Sequence, residues 1–186
     1  MTTLRRAFLA MSIAWAVLLP LAPFAASQPA PAPLWYGLAF AVYGAGSFIC
    51  HQLPARSFHS WSAQWPVCAR CTGIYFGAAV VAVVAMVRLP LSPLRGFGGP
   101  RKPDTTYETV SSRYVGSGFS RTGGSTSRTR MLLVLAALPT AVTLIYEWTT
   151  GNTPSNAIRA LAGAPLGAAV ALIVIEALRI QAAGRR

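Results

Sequence analysis

All three cysteines and both histidines of this chain fall between Cys50 and Gly73, in CHQLPARSFHSWSAQWPVCARCTG, together with Arg56 and Arg70. Cys68 and Cys71 have the C-x-x-C spacing with which two thiolates hold one ion, and Cys50 with His51 adds a third sulfur and a nitrogen. Three sulfurs and one imidazole suit zinc or another divalent metal in tetrahedral geometry. Four protein ligands leave no position for a substrate, so such an ion is structural and staples one helix end to the start of the next. His59 competes with His51 for the fourth place, but beside Trp61 and Trp65 it reads more simply as an interfacial loop histidine bonded to water. Three is an odd number of cysteines, which makes a disulfide framework a poor reading and a metal or redox site a better one.

Two other chemistries compete with the metal. Cys71 stands at an expected helix start beside Arg70, where the helix dipole and the guanidinium both favour thiolate. Cys68 and Cys71 are therefore also a candidate pair for membrane thiol–disulfide exchange, with Cys50 as a third thiol. An oxidoreductase passing electrons to a quinone would normally carry a second pair, which the sequence lacks. The third candidate is an anion or polar site made by Arg56, Arg70, Glu147, Asn156 and Arg159, fit for binding or transporting an anionic lipid headgroup. A simpler account pairs Glu147 with Arg159 across a helical hairpin and lets the other arginines reach lipid phosphates. Glu176 and Arg179, three residues apart, read as a local helix pair. There is no Gly-rich phosphate loop, HExxH helix or serine-nucleophile motif, so NTPase, zinc-protease and serine-hydrolase chemistry has no support, and whether the chain is an enzyme stays open.

The elements that must position these residues are membrane helices. With 54% hydrophobic and 11% charged residues in 186, the chain is too apolar for an ordinary soluble domain. The expectation is an all-α, integral membrane helical bundle of four to five transmembrane helices, because residues 7–26, 34–50, 72–88, 131–148 and 157–180 are each long and apolar enough to cross a bilayer. Residues 1–33 form a signal-like or anchor helix, with Pro20 and Pro23 breaking or kinking its far end, plus a Pro-rich connector. Residues 34–88 carry the second and third helices and the Cys/His loop. Residues 89–130 are rich in Gly, Ser, Thr, Pro and Arg and read as a disordered basic loop. Residues 131–186 carry the fourth helix, interrupted by Pro139, the fifth helix, capped by Ser155 or Asn156, and a basic tail. Gly73-x-x-x-Gly77 and Gly163-x-x-x-Gly167 supply small faces for helix packing, within the chain or in a homo-oligomer.

Parity gathers the unusual residues. Two spans joined by the basic loop put the start of the third helix and the end of the fourth on one membrane side, so Cys68, Arg70 and Cys71 share a surface with Glu147, Asn156 and Arg159. The formal charge of +12 comes from 16 Lys and Arg against 4 acids, concentrated in the loop. Such an excess marks a cytoplasmic segment rather than a nucleic-acid site, so the partner is the lipid bilayer, with no nucleic acid. Loop and tail place the Cys/His face outside the cytoplasm of a multi-pass cell-membrane protein. Arg5 and Arg6 argue the other way if both of the first two helices span.

The pieces CHQLPARSF, QWPVCARCTGIYFG and, more weakly, Pro139 onward with YEWTTGNTPSNAIRALAGAPLG resemble a family of small prokaryotic membrane proteins known as domain of unknown function 2085. The resemblance covers most of residues 34–180 and leaves out the first helix and the basic loop. It implies a multi-pass fold with a functional face at Cys50, His51, Arg56, Cys68, Arg70, Cys71, Glu147, Asn156 and Arg159. It brings no activity with it, and His59 lies outside its pattern.

Overall fold

The computed structural model describes residues 3–29, 32–87 and 123–183. Five long helices are present among them: α1 (Thr3–Ala26), α2 (Pro33–Ile49), α3 (Ala69–Met86), α4 (Gly123–Thr150) and α5 (Asn156–Ala183). Four of these, all but α2, hold segments long and apolar enough to cross a membrane, as the sequence implies. The expected loop over residues 89–122 lies outside the described residues. Helix α4 reaches back to Gly123, into the stretch that reads as disordered, because a nucleated helix extends at little cost per added residue.

The bundle is built on α5. Helices α3 and α5 run parallel, with Gly73 and Gly77 against the backbone of Ala160 and Ala164, and Gly163 and Gly167 against that of Arg70 and Ile74. A Cβ at any of the four would collide with a carbonyl oxygen of the partner helix, so only glycine permits this approach. These faces pack inside one chain, so an oligomer made through them would have to displace this pairing. Helix α4 packs antiparallel on the other side of α5. Helix α1 runs antiparallel to α3: Leu9 is buried with Ala82, Ala85 and Ile175, and Trp15 meets Tyr75 edge to face at 5.9 Å.

Prolines do not break these helices. Helix α1 is continuous through Pro20 and Pro23, and α4 through Pro139, so neither the break allowed for in α1 nor the interruption expected in α4 occurs. In an apolar bundle a broken helix would strand further backbone groups away from water, and Pro23 is itself packed in the interior, so tertiary packing overrides local propensity.

Helix α2 departs furthest from expectation. Because α1 is antiparallel to α3, the end of α1 and the start of α3 lie at the same end of the bundle. Helix α2 starts beside the end of α1, where Phe24 meets Trp35 at 6.0 Å, and finishes at Cys50, beside Cys68. It therefore returns to the end it left and does not carry the chain to the opposite surface. It lies along a hairpin in the stretch where the sequence suggests only a loop, β1 (Ser57–Ser60) paired antiparallel with β2 (Ala63–Cys68). The Tyr43 hydroxyl donates to the Gln64 carbonyl, and Gly46 lies against the Pro66 carbonyl.

The hairpin lacks the usual signals. Its two-residue turn is Trp61–Ser62, with φ of +52° and +61°, the left-handed values that a primed turn needs and that Asn-Gly normally supplies. Tertiary contacts hold the turn instead: Trp61 packs on Phe24 at 5.5 Å, and the Trp65 indole donates to Ser60 Oγ at 3.0 Å. Pro66, which has no N–H to give, falls in the register irregularity between the Ser57–Cys68 and His59–Gln64 pairs.

Candidate functional site

Local structure brings the thiols together. Cys50 closes α2, its N–H donating to the Gly46 carbonyl. Cys68 is the residue before α3 and Cys71 lies in its first turn, so one turn of helix places both sulfurs on the same side. The three sulfurs lie within 4.8 Å of one another, all three are free thiols, and the Cys68 N–H donates to Cys50 Sγ at 3.2 Å. A tetrahedral zinc site with bonds of about 2.3 Å spaces its sulfurs by about 3.8 Å, so a contraction within side-chain reach would fit the ion. A hydrogen bond from the Cys71 thiol holds Cys68 down to about 5, well below an ordinary thiol. Burial opposes this, while the Cys71 and Arg70 N–H groups and Cys50 reinforce it.

His51 is exposed and lines the same cavity as the thiols, outside the cluster of three sulfurs. His59 is exposed on β1 and does not line it.

A second cluster is centred on Glu147, near the end of α4, with its side chain only 4% exposed. Arg159 of α5 places Nη2 2.6 Å from Glu147 Oε1, Arg70 of α3 places Nη2 3.1 Å from the same oxygen, and Arg56 places Nη1 3.8 Å from Oε2. The simpler sequence account pairs Glu147 with Arg159 alone. The structure gathers all three arginines on this carboxylate, because the start of α3 and the end of α4 meet at one end of the bundle. Arg70 also donates to Thr143 Oγ1 at 3.3 Å.

The two clusters share one cavity of about 390 Å³, lined by Cys50, Cys68 and Cys71 and by Arg56, Arg70 and Arg159. Asn156 does not line it: its amide donates to the Ser57 carbonyl at 2.9 Å and ties the hairpin to α5, while Ser155 caps that helix by accepting from the Ile158 N–H at 3.4 Å. Gly73, Gly77, Gly163 and Gly167 stand behind the site and fix how closely α3 and α5 approach.

Several positioning residues escape sequence reasoning. Gln52 donates to the carbonyls of Pro66 (2.7 Å) and Tyr43 (3.0 Å), and Gln64 donates to the Gln52 carbonyl at 2.6 Å. This reciprocal knot holds the end of α2 on the hairpin, and with it Cys50 on Cys68. Fully buried Ser57 donates to the Leu53 carbonyl at 3.0 Å. The only signal is adjacency, since Gln52 follows Cys50–His51 and Gln64 opens QWPVC.

Comparison with known proteins agrees with this picture. The family model described as "Predicted membrane protein (DUF2085)" matches residues 50–97. An uncharacterised protein of Methanocaldococcus jannaschii is 39% identical over 64 residues, which is 34% of this chain and 41% of that protein. Another of Methanothermobacter thermautotrophicus is 55% identical over 31 residues, 17% of this chain and 28% of that protein. The chain thus spans less than half the length of these curated relatives. No solved structure matches it. The match falls on the segment that builds the thiol cluster, hairpin and α3, where the CHQ, RSF and CARCTGIY residues carry the resemblance.

Proposed function

We propose that this multi-pass membrane protein holds one zinc-like divalent ion between Cys50, Cys68 and Cys71, with His51 turning in from the cavity wall as the fourth ligand. The observation that carries the reading is the convergence of three free sulfurs within 4.8 Å from the end of α2 and the start of α3. An ion there fastens α2 and the hairpin to the bundle, so its role is structural.

The site faces away from the cytoplasm. Because α2 returns to its starting end, Arg5 and Arg6 of α1, Arg128 and Arg130 of α4, and Arg179 of α5 all belong to the opposite end. The conflict between the N-terminal arginines and the loop thus disappears. Among the described residues, every Lys or Arg other than Arg56, Arg70 and Arg159 falls on the side that the positive-inside rule makes cytoplasmic.

Metal content and free-thiol count on protein purified in detergent, without chelator or reductant, test the reading. The expected result is near-stoichiometric metal, thiols that react only after chelation, and loss of metal in each of Cys50→Ser, Cys68→Ser and Cys71→Ser. His51→Ala should weaken retention, and a membrane-impermeant thiol reagent should label chelated intact cells. Metal-free protein with one disulfide and one thiol overturns the proposal. It favours the second reading, thiol exchange, which the acidic Cys68 supports.

A further inference from the structure

The cavity beside the thiols carries more positive charge than its neighbours balance. Three guanidiniums meet one carboxylate, which leaves two positive charges over. This excess sits at the end of a membrane bundle, where unpaired charges are costly.

The arginines are also under-used. Arg159, with a side chain 2% exposed, and Arg70 each bring a terminal nitrogen to the same carboxylate oxygen, so neither makes the two-pronged contact that guanidinium and carboxylate favour. The Nε atoms of both are buried and have no hydrogen-bond partner. Buried donors without a partner are rare in folded proteins, and each calls for one, whether water, an ion or a ligand. Both side chains line the cavity, and Arg56, 44% exposed, also lines it.

We propose that this cavity binds an oxyanion of the phosphate class, taken between Arg70 and Arg159 with Arg56 completing its neutralisation. Guanidinium edges match the paired oxygens of such an anion, and an arginine cannot shed its charge to relieve the burial. The volume of about 390 Å³ lies in the range of small-molecule pockets, so the anion belongs to a larger group. Ile49 and Leu53 add apolar lining beside the charges. The same chemistry is met by a phospholipid headgroup entering from the bilayer and by a phosphate-bearing solute entering from water. The inference stands on the arginines and does not rest on the metal.

Binding to the full chain in detergent, measured with inorganic phosphate and, in phosphatidylcholine nanodiscs, with added phosphatidylglycerol, tests it. The expected result is saturable binding in at least one arm, weakened about tenfold or more by Arg56→Gln and by Arg70→Gln. Arg56→Gln removes a half-exposed charge and should leave the unfolding temperature nearly unchanged, which separates loss of binding from loss of fold. Binding of phosphate assigns a solute, and selective binding of phosphatidylglycerol assigns a headgroup; both support the proposal. Absence of binding in both arms, or wild-type binding by Arg56→Gln and Arg70→Gln alike, overturns it. Unsubstituted protein that purifies without metal yet binds phosphate would refute the metal reading and leave this one intact.

Discussion

Helix α5 is held on its two sides by opposite means. Toward α3 the contact is backbone on backbone, four glycines against the carbonyls of Ala160, Ala164, Arg70 and Ile74. Toward α4 it is polar: the Thr140 hydroxyl donates to the Ala162 carbonyl at 2.8 Å, and Arg159 reaches Glu147. The glycine seam has no room for one more carbon but depends on no particular partner. The polar seam tolerates changes of volume and fails when one partner is removed. The parallel α3–α5 pair is thus a fixed frame, and α4 is latched to it at the end that carries the site.

Substitutions on the two sides should fail differently. The largest effect is expected for Glu147→Ala, which leaves the buried Arg159 and the part-buried Arg70 facing each other and should lower stability by about 3–5 kcal/mol, read by thermal or denaturant unfolding in detergent. Unchanged stability would mean that the latch is ornamental. Next comes Gly167→Ala, where one methyl group meets the Ile74 carbonyl and should cost about 1–3 kcal/mol. Its control is Gly37→Ala in α2, where an added Cβ meets nothing within 4 Å and should stabilise by about 0.5–1 kcal/mol. The smallest is Thr140→Val, which removes one interhelical hydrogen bond and should cost about 0.6 kcal/mol. A larger loss there than at Gly167 would reverse the comparison.

Much of the site is legible in the amino-acid sequence. Two spans joined by a loop suffice to place Glu147 and Arg159 at the end that carries Cys68 and Cys71, because parity is a property of connectivity. The small-residue spacing names the four glycines that form the α3–α5 seam. Helix α2 defeats the same reasoning because apolar length alone cannot tell a spanning helix from one that doubles back. At 17 residues it sits at the lower limit for crossing, and its exposed Phe40 and Phe48 look the same to a hydropathy window either way. The hairpin is invisible because its turn conformation is held by the packing of Trp61 on Phe24 and by the Trp65–Ser60 hydrogen bond across the strands rather than by glycine in the turn. The Gln52–Gln64 knot is hidden for a related reason: amide side chains that bond backbone carbonyls leave no spacing rule to find.

Glu147 lies 77 residues after Arg70, and Arg159 follows it by another 12. The cysteines and two of the arginines are therefore made and delivered to the membrane before the carboxylate that balances them exists. At about 5–20 residues per second, Arg70 waits roughly 4–15 s for its counter-ion. During that interval its charge must rest on lipid phosphate, water or an insertion partner, and the thiols face no completed cavity. Closure of the site is thus a late event of synthesis, completed when the final helical hairpin docks. A chain arrested before residue 147 should hold the same three cysteines in a state open to reagents that the finished protein excludes.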